Sequence, residues 1–314
     1  MIPAAVLDLV TAAVAFAVCA VAYPFVVRGL RSLRIGQVIQ AELPAEHHRK
    51  AGTPTGGGIL FVAVGVVGGL LSLRTHAGAL PAVAGLLLFG LLGLWDDLTK
   101  LRVGSRGIPA RLKFPIQVVL AIPVAWLAQA PQHGIPAGWS WLYWPLALLV
   151  ITGFANAVNL TDGIDGLAGG VSVIALVSCV LLLPRADAGE KAVAMALAGG
   201  LLAFLLYNRH PARVFMGDTG SLGVGAALAA MALQQGWGLL LPVLGLVFVA
   251  EALSVMIQVS YFKATGGRRI FKKNTPIHLT FQQEGWSENR IALTFWGAGV
   301  VAALASGWIA RIVP

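Results

Sequence analysis

An all-α polytopic membrane protein with about ten transmembrane helices and both termini outside is the fold class this sequence predicts. Three observations lead there. Of the 314 residues, 58% are hydrophobic and only 11% are charged, against roughly a quarter charged in ordinary soluble domains. Apolar runs close to the roughly 20 residues needed to cross a bilayer recur from end to end, and no polar stretch between them exceeds about 30 residues. The Lys and Arg residues, finally, concentrate in alternate loops, which is how orientation is written into such chains.

The first run, 4–27, has no basic leader and no small-residue cleavage site, so it reads as a retained helix and not a signal peptide. Further spans are expected at 56–73, 79–95, 114–130, 142–158, 166–184, 191–207, 221–234, 239–262 and 291–312. They leave no room for a separate soluble domain, so residues 1–314 are expected to form one integral membrane domain. Loops 28–55, 96–113, 208–220 and 263–290 hold eighteen of the 22 Lys and Arg, and the other side has only Arg74, Arg185, Lys191 and Arg311. The basic loops are therefore expected in the cytoplasm. That placement accounts for the net charge of +9 without a nucleic-acid partner. Cys19 and Cys179 lie inside apolar runs, where a thiol acts as a small core group, which argues against disulfide, thiolate-metal or redox chemistry.

Topology explains the bases but not the acids. Nine of the thirteen acidic residues share the basic side: Glu42, Glu46, Asp96, Asp97, Asp162, Asp165, Asp218, Glu284 and Glu288. The third helix runs into GLLGLWDDLTK, which sets Asp96 and Asp97 at a cytoplasmic helix end with Lys100 one turn on, so that Lys100 can pair with either carboxylate. The fourth span is approached through Arg111 and Lys113. NAVNLTDGIDGLAG then places Asn156, Asn159, Asp162 and Asp165 at steps of three. Such spacing forms a polar stripe if the segment stays helical, whereas its glycines would let the backbone turn and approach a ligand. In VFMGDTGSLGVG, Asp218 and Ser221 suit either a helix N-cap or a phosphate and its Mg²⁺ at a helix start. Two basic stretches, HHRKAGTPTGGG with Lys50 and Thr55, and FKATGGRRIFKKNTPIH with His278, suit anionic headgroups or a clamp on substrate phosphates. Glu251 lies mid-span in the ninth helix, where a structural hydrogen bond into the bundle is the expected role.

Taken in order, KAGTPTGGG, GLWDDLTK, NAVNLTDGIDGLAGG, VFMGDTGSLGVG, EALSVMIQV and RRIFKKNTPIH with EGWSE and FW resemble the signatures of the polyprenyl-phosphate N-acetylhexosamine-1-phosphate transferases. The likeness runs nearly end to end and is greatest to the branch that handles muramoyl-pentapeptide. It implies a cytoplasmic active-site cleft in the bacterial inner membrane, Mg²⁺, and two substrates, undecaprenyl phosphate and UDP-N-acetylmuramoyl-pentapeptide, with lipid I and UMP as products. It also implies roles. Asp218 corresponds to the metal ligand, and Asp96, with Asp97 beside it, to the carboxylate that deprotonates the lipid phosphate. Asp165 and Phe215 correspond to positions associated with uracil, and Lys50, Thr55, Asn159, Asp162 and Asn208 to other cleft residues. Lys100, Lys113 and Asn156 join them as substrate-binding candidates, and His278 joins the catalytic set.

The chain departs from the family in one place. The family usually has three consecutive histidines where this sequence reads His278, Leu279, Thr280, so only the first can be carried over. A sibling transferase using UDP-N-acetylglucosamine is the nearest alternative, although siblings typically carry a His-x-His-His run that is missing here. A secondary transporter is a more distant one, because its carboxylates belong near the bilayer midplane, where among these only Glu251 falls. The sequence sets no oligomeric state, and a homodimer stays open as an assembly.

Overall fold

The computed structural model describes residues 3–32, 52–100, 107–271 and 274–313. Lys50, Lys272 and Lys273 lie outside them. Among the described residues the chain is helical, with no strand. The helices are α1 (Ala4–Ser32), α2 (Gly58–Ser72), α3 (Leu80–Lys100), α4 (Ala110–Leu127), α5 (Tyr143–Thr161), α6 (Leu167–Leu181), α7 (Ala188–Asn208), α8 (Gly217–Gln234), α9 (Leu241–Leu244), α10 (Leu246–Ala264), α11 (Ile277–Gln283) and α12 (Glu288–Ile312). Each of the ten expected spans corresponds to a helix of at least 15 residues. By length and composition seven helical segments can cross a bilayer, and α2 and α6 are shorter apolar helices. The chain is a polytopic membrane protein.

Helix α8 is the centre of the bundle. Its residues Asp218 to Leu233 are all buried, and its sequence is almost entirely Gly, Ala and other small groups up to Ala232. Lipid tails are as apolar as leucine, so helices in a bilayer associate through close packing of small residues more than through burial of large ones. The close approach is specific: an added Cβ at Gly93 of α3 would run into the Asp218 carbonyl, and one at Gly58 of α2 would stand 2.5 Å from the Gly220 Cα. Large apolar side chains face the other way. Leu9, Val21 and Phe25 on α1, and Leu293, Val301 and Trp308 on α12, are exposed on the outside of the bundle, as a lipid-facing surface requires.

Two departures from the sequence expectation matter for the site. The single span expected at 239–262 is broken at Gly245, which ends α9 and starts α10 and whose lack of a side chain leaves room for the Phe154 ring. The loop expected at 263–290 contains α11, which starts after Pro276 and buries His278 and Leu279. Phe281 of α11 packs on Trp286, with ring centroids 4.8 Å apart, and edge-on against Phe295 of α12. These aromatic contacts hold the short helix, and so His278, against the bundle.

Candidate active site

The C-terminal end of α3, the N-terminal ends of α4 and α8 and the C-terminal end of α5 meet at one end of the bundle. Asp96, Asp97 and Lys100 come from α3, Lys113 from α4, Asn159 from α5, and Asp218, Thr219 and Ser221 from α8. α3 extends beyond the expected 79–95 to Lys100, and α4 starts at Ala110 and not at 114. Both lysines therefore stand on helices and not in loops.

The two adjacent aspartates do different work. Asp97 caps α8: its Oδ1 accepts the Asp218 amide at 3.0 Å, and its Oδ2 accepts the Thr219 amide at 3.0 Å and the Thr219 hydroxyl at 2.7 Å. The α8 start thus satisfies its first amides with a carboxylate from another helix, which also complements the positive end of the helix dipole. A phosphate on those amides, one of the options the sequence left open, would have to displace Asp97. Gly217 makes the cap possible, because it has a φ of +77° and a Cβ there would lie 2.7 Å from Asp97 Oδ2 and 3.1 Å from Thr55 Oγ1. Thr55 is buried beside this turn.

Asp96 and Asp218 share the lysines. Lys100 Nζ lies 2.7 Å from Asp96 Oδ2, 2.8 Å from Asp218 Oδ1 and 3.8 Å from Asp97 Oδ1. Lys113 Nζ pairs with Asp218 Oδ2 and lies 3.3 Å from Asp96 Oδ2. The remaining Asp96 oxygen accepts the Ile108 amide at 2.6 Å. Asn159 donates to Asp218 Oδ1 at 3.1 Å and to the Ser221 hydroxyl at 2.9 Å. Both carboxylates are buried, and a charge removed from water is tolerated where it is paired and hydrogen-bonded as these are.

Helix α5 continues through Thr161, so Asn156 and Asn159 do form a stripe, while Asp162 and Asp165 stand in the turn beyond. Asn156 is tied to Gln117 of α4 through bonds of 2.6 and 3.3 Å, one turn deeper than the carboxylates, and does not join them. Asp162 reaches the Gly217 amide, and its carboxyl is pushed well above the usual range, first by desolvation and then by the Asp218 charge. Asp165 and Asn208 hold two loops together. Asp165 Oδ2 accepts the Ala212 amide at 3.0 Å and faces His210 Nδ1 at 2.9 Å, while the Asp165 amide donates to Glu288 Oε2 at 2.9 Å. Asn208 accepts from the Gly166 amide and donates to the Val214 carbonyl, both at 3.0 Å. Asp165, His210 and Glu288 bring three metal-capable atoms within 4.8 Å of one another, but both carboxylates already serve backbone amides. Half-buried Phe215 is fixed by its backbone, which donates to the Pro54 carbonyl at 2.8 Å and accepts from the Gly57 amide at 2.9 Å.

His210, Glu288 and Gln117 are members of these networks that the sequence reading did not single out. Glu288 had a signal, since it follows Ser287 at a helix start, but the amide it anchors, that of Asp165, is 123 residues away. Glu251 makes the buried hydrogen bond expected of it, and its partner is His278. Because the Asp165 side chain is 1% exposed and that of His210 is 44% exposed, Asp165→Asn is expected to cost about 1–3 kcal/mol of stability and His210→Ala less. Thermal midpoints of both variants in one detergent check this, and the reverse order would show that the histidine is the anchor.

Carboxylates, ammoniums and an amide gathered at one end of an apolar bundle define a class: a membrane-embedded transferase acting on phosphorylated substrates. Comparison with known proteins makes this specific. Residues 79–236 match the glycosyl transferase family 4 profile. Phospho-N-acetylmuramoyl-pentapeptide-transferase of Listeria monocytogenes is 41% identical over 313 residues, covering 94% of this chain and 96% of its own length. The enzymes of the same name from Heliobacterium modesticaldum and Moorella thermoacetica are 43% and 42% identical, covering 89% and 92% of this chain and 90% and 94% of their own lengths. The chain belongs to the phospho-N-acetylmuramoyl-pentapeptide transferase family, within glycosyl transferase family 4.

Proposed function

We propose that this chain transfers phospho-N-acetylmuramoyl-pentapeptide from its UDP-activated form to undecaprenyl phosphate, giving lipid I and UMP in the first membrane step of peptidoglycan synthesis. The observation that carries the reading is the pair of ammoniums, Lys100 and Lys113, bridging Asp96 and Asp218 at one end of the bundle, in a chain so similar to enzymes of that name. That end carries the loops rich in Lys and Arg, so it faces the cytoplasm and its soluble UDP-sugar, with ten helices crossing the inner membrane and both termini outside.

The residues present fit a bound Mg²⁺. Asp96 and Asp218 are hard oxygen donors held close enough to share one ammonium, and that ammonium marks where positive charge is wanted. Asp218 would hold the ion, which would supply charge neutralisation to the diphosphate oxygens. The chain's own groups do the rest. Lys100 and Lys113, released from the carboxylates, meet the phosphate oxygens of the substrates, and Asp96 takes any remaining proton from the lipid phosphate. An oxygen of that phosphate attacks the β-phosphorus in line, a new P–O bond forms, and the bond to the α-phosphate oxygen breaks as UMP leaves. Asp97 keeps α8 in place throughout.

Leu279 and Thr280 stand where the family has its second and third histidines, the Thr280 hydroxyl donating to the Asn274 carbonyl, and the sibling's own histidine run is missing too, so the sugar is tested directly. The test gives purified protein undecaprenyl phosphate, Mg²⁺ and either UDP-N-acetylmuramoyl-pentapeptide or UDP-N-acetylglucosamine, and measures UMP release. Release with the first substrate alone is expected. Release with the second alone would move the chain to the sibling branch, and release with neither would overturn the transferase reading.

A further inference from the structure

Glu251 and His278 form a buried pair that the transfer scheme above does not use. Glu251 is fully buried in the middle of α10, and His278, at the second position of α11, is 1% exposed. The carboxylate meets the histidine twice. Oε1 accepts the His278 amide at 3.3 Å, and Oε2 lies 3.1 Å from Nδ1. Where the ring donates Nδ1–H to Oε2, the other ring nitrogen, Nε2, is presented on the far side. On that side lies the turn that follows α5. An added Cβ at Gly163 would run into Nε2 and lie 2.6 Å from Cε1, and Gly163 follows Asp162, whose carboxyl reaches the Gly217 amide beside Asp218.

We propose that Glu251 is a positioning residue for the transfer: its carboxylate holds His278 as the Nδ1–H tautomer and aims Nε2 past Gly163 at the substrate phosphates. The inference rests on the transferase reading and assigns Glu251 a part in it. The geometry explains why a carboxylate stands in an apolar helix, where it is costly to bury and is retained where it has a specific partner. It also explains why the turn after Asp162 carries no side chain at residue 163. Any Cβ there would occupy the place of the imidazole edge.

The experiment has a kinetic arm and a spectroscopic arm. Glu251→Gln keeps the size and one acceptor but removes the charge. It is expected to lower kcat about tenfold to a hundredfold, the range seen when the outer partner orienting a metal-bound histidine is lost. The KM for the UDP-sugar should change by less than about threefold, since the pair does not provide uniform binding. In protein labelled with ¹⁵N-histidine, the His278 signals, assigned by their absence in His278→Asn, should report Nδ1 protonated and Nε2 not. In Glu251→Gln that pattern should shift toward a mixture of tautomers. Gly163→Ala supplies an arm that leaves Glu251 untouched: residue 163 is exposed, so the fold should survive, and kcat should fall because the new methyl displaces the ring. A wild-type spectrum with the proton on Nε2, or full turnover by Glu251→Gln, would overturn the inference. Wild-type protein that releases no UMP from either UDP-sugar would instead overturn the transferase reading, with the tautomer result still standing on its own.

Discussion

Below about pH 6, where the lipid phosphate still holds its last proton, Asp96→Asn is expected to lower the maximal rate by up to about a hundredfold at every Mg²⁺ concentration, the lower end of what a general base contributes. Raising the pH should relieve the defect, because the second pKa of a phosphate monoester is about 6 and the fully ionised lipid phosphate needs no base. Asp218→Asn should fail differently. A neutral oxygen replaces a charged one at the position that would hold Mg²⁺, so the metal concentration giving half-maximal rate should rise and excess metal should restore part of the rate. Turnover of both variants across Mg²⁺ concentration and pH, with UDP-sugar binding measured separately, checks the assignment. If metal rescues Asp96→Asn and alkali rescues Asp218→Asn, the two roles are exchanged. If neither condition rescues either variant, the two carboxylates act as one unit, which their shared contacts with Lys100 and Lys113 also permit.

Gly93→Ala is expected to damage both stability and rate, although it adds only one methyl group. The Cβ would collide with the backbone carbonyl of Asp218, and backbone on α8 cannot give way as a flexible side chain would. Overpacking of this kind costs about 1–3 kcal/mol, and a shift of about 1 Å at a reacting group can cost about a hundredfold in rate. Gly153→Ala is the control, because nothing lies within 4 Å of a Cβ added there. Thermal midpoint and kcat are measured for both. Equal behaviour of the two variants would show that the approach of α3 to α8 does not govern the position of Asp218.

Much of this was legible in the sequence, for physical reasons that can be named. Apolar runs and the asymmetry of Lys and Arg report directly on bilayer crossing, so each expected span found its helix. Asp96, Lys100, Asn159 and Asp218 were legible because helix ends rich in acids, bases and glycine have few other uses in a chain 11% charged. Spacing did not separate Asp96 from Asp97, since neighbours on a helix differ in direction only relative to what packs against them. Asp97 became a cap because α8 happens to start beside it. Pairings such as Asp165 with Glu288, 123 residues apart, leave no local trace, and neither does the packing of the Phe154 ring against Gly245. The role of Glu251 could not be read because its partner sits on a helix that the loop composition concealed.

The Asp97 cap also bears on how the site responds to its surroundings. By joining the end of α3 to the start of α8, it ties the backbone that carries Asp96 to the backbone that carries Asp218 through three hydrogen bonds. Two ligand groups mounted that way lose little freedom when an ion or a phosphate arrives, so the entropic cost of assembling the site has already been met during folding. Changes in the length or sequence of the connecting loops should therefore alter how substrates enter and leave far more than how tightly the two carboxylates grip a common guest.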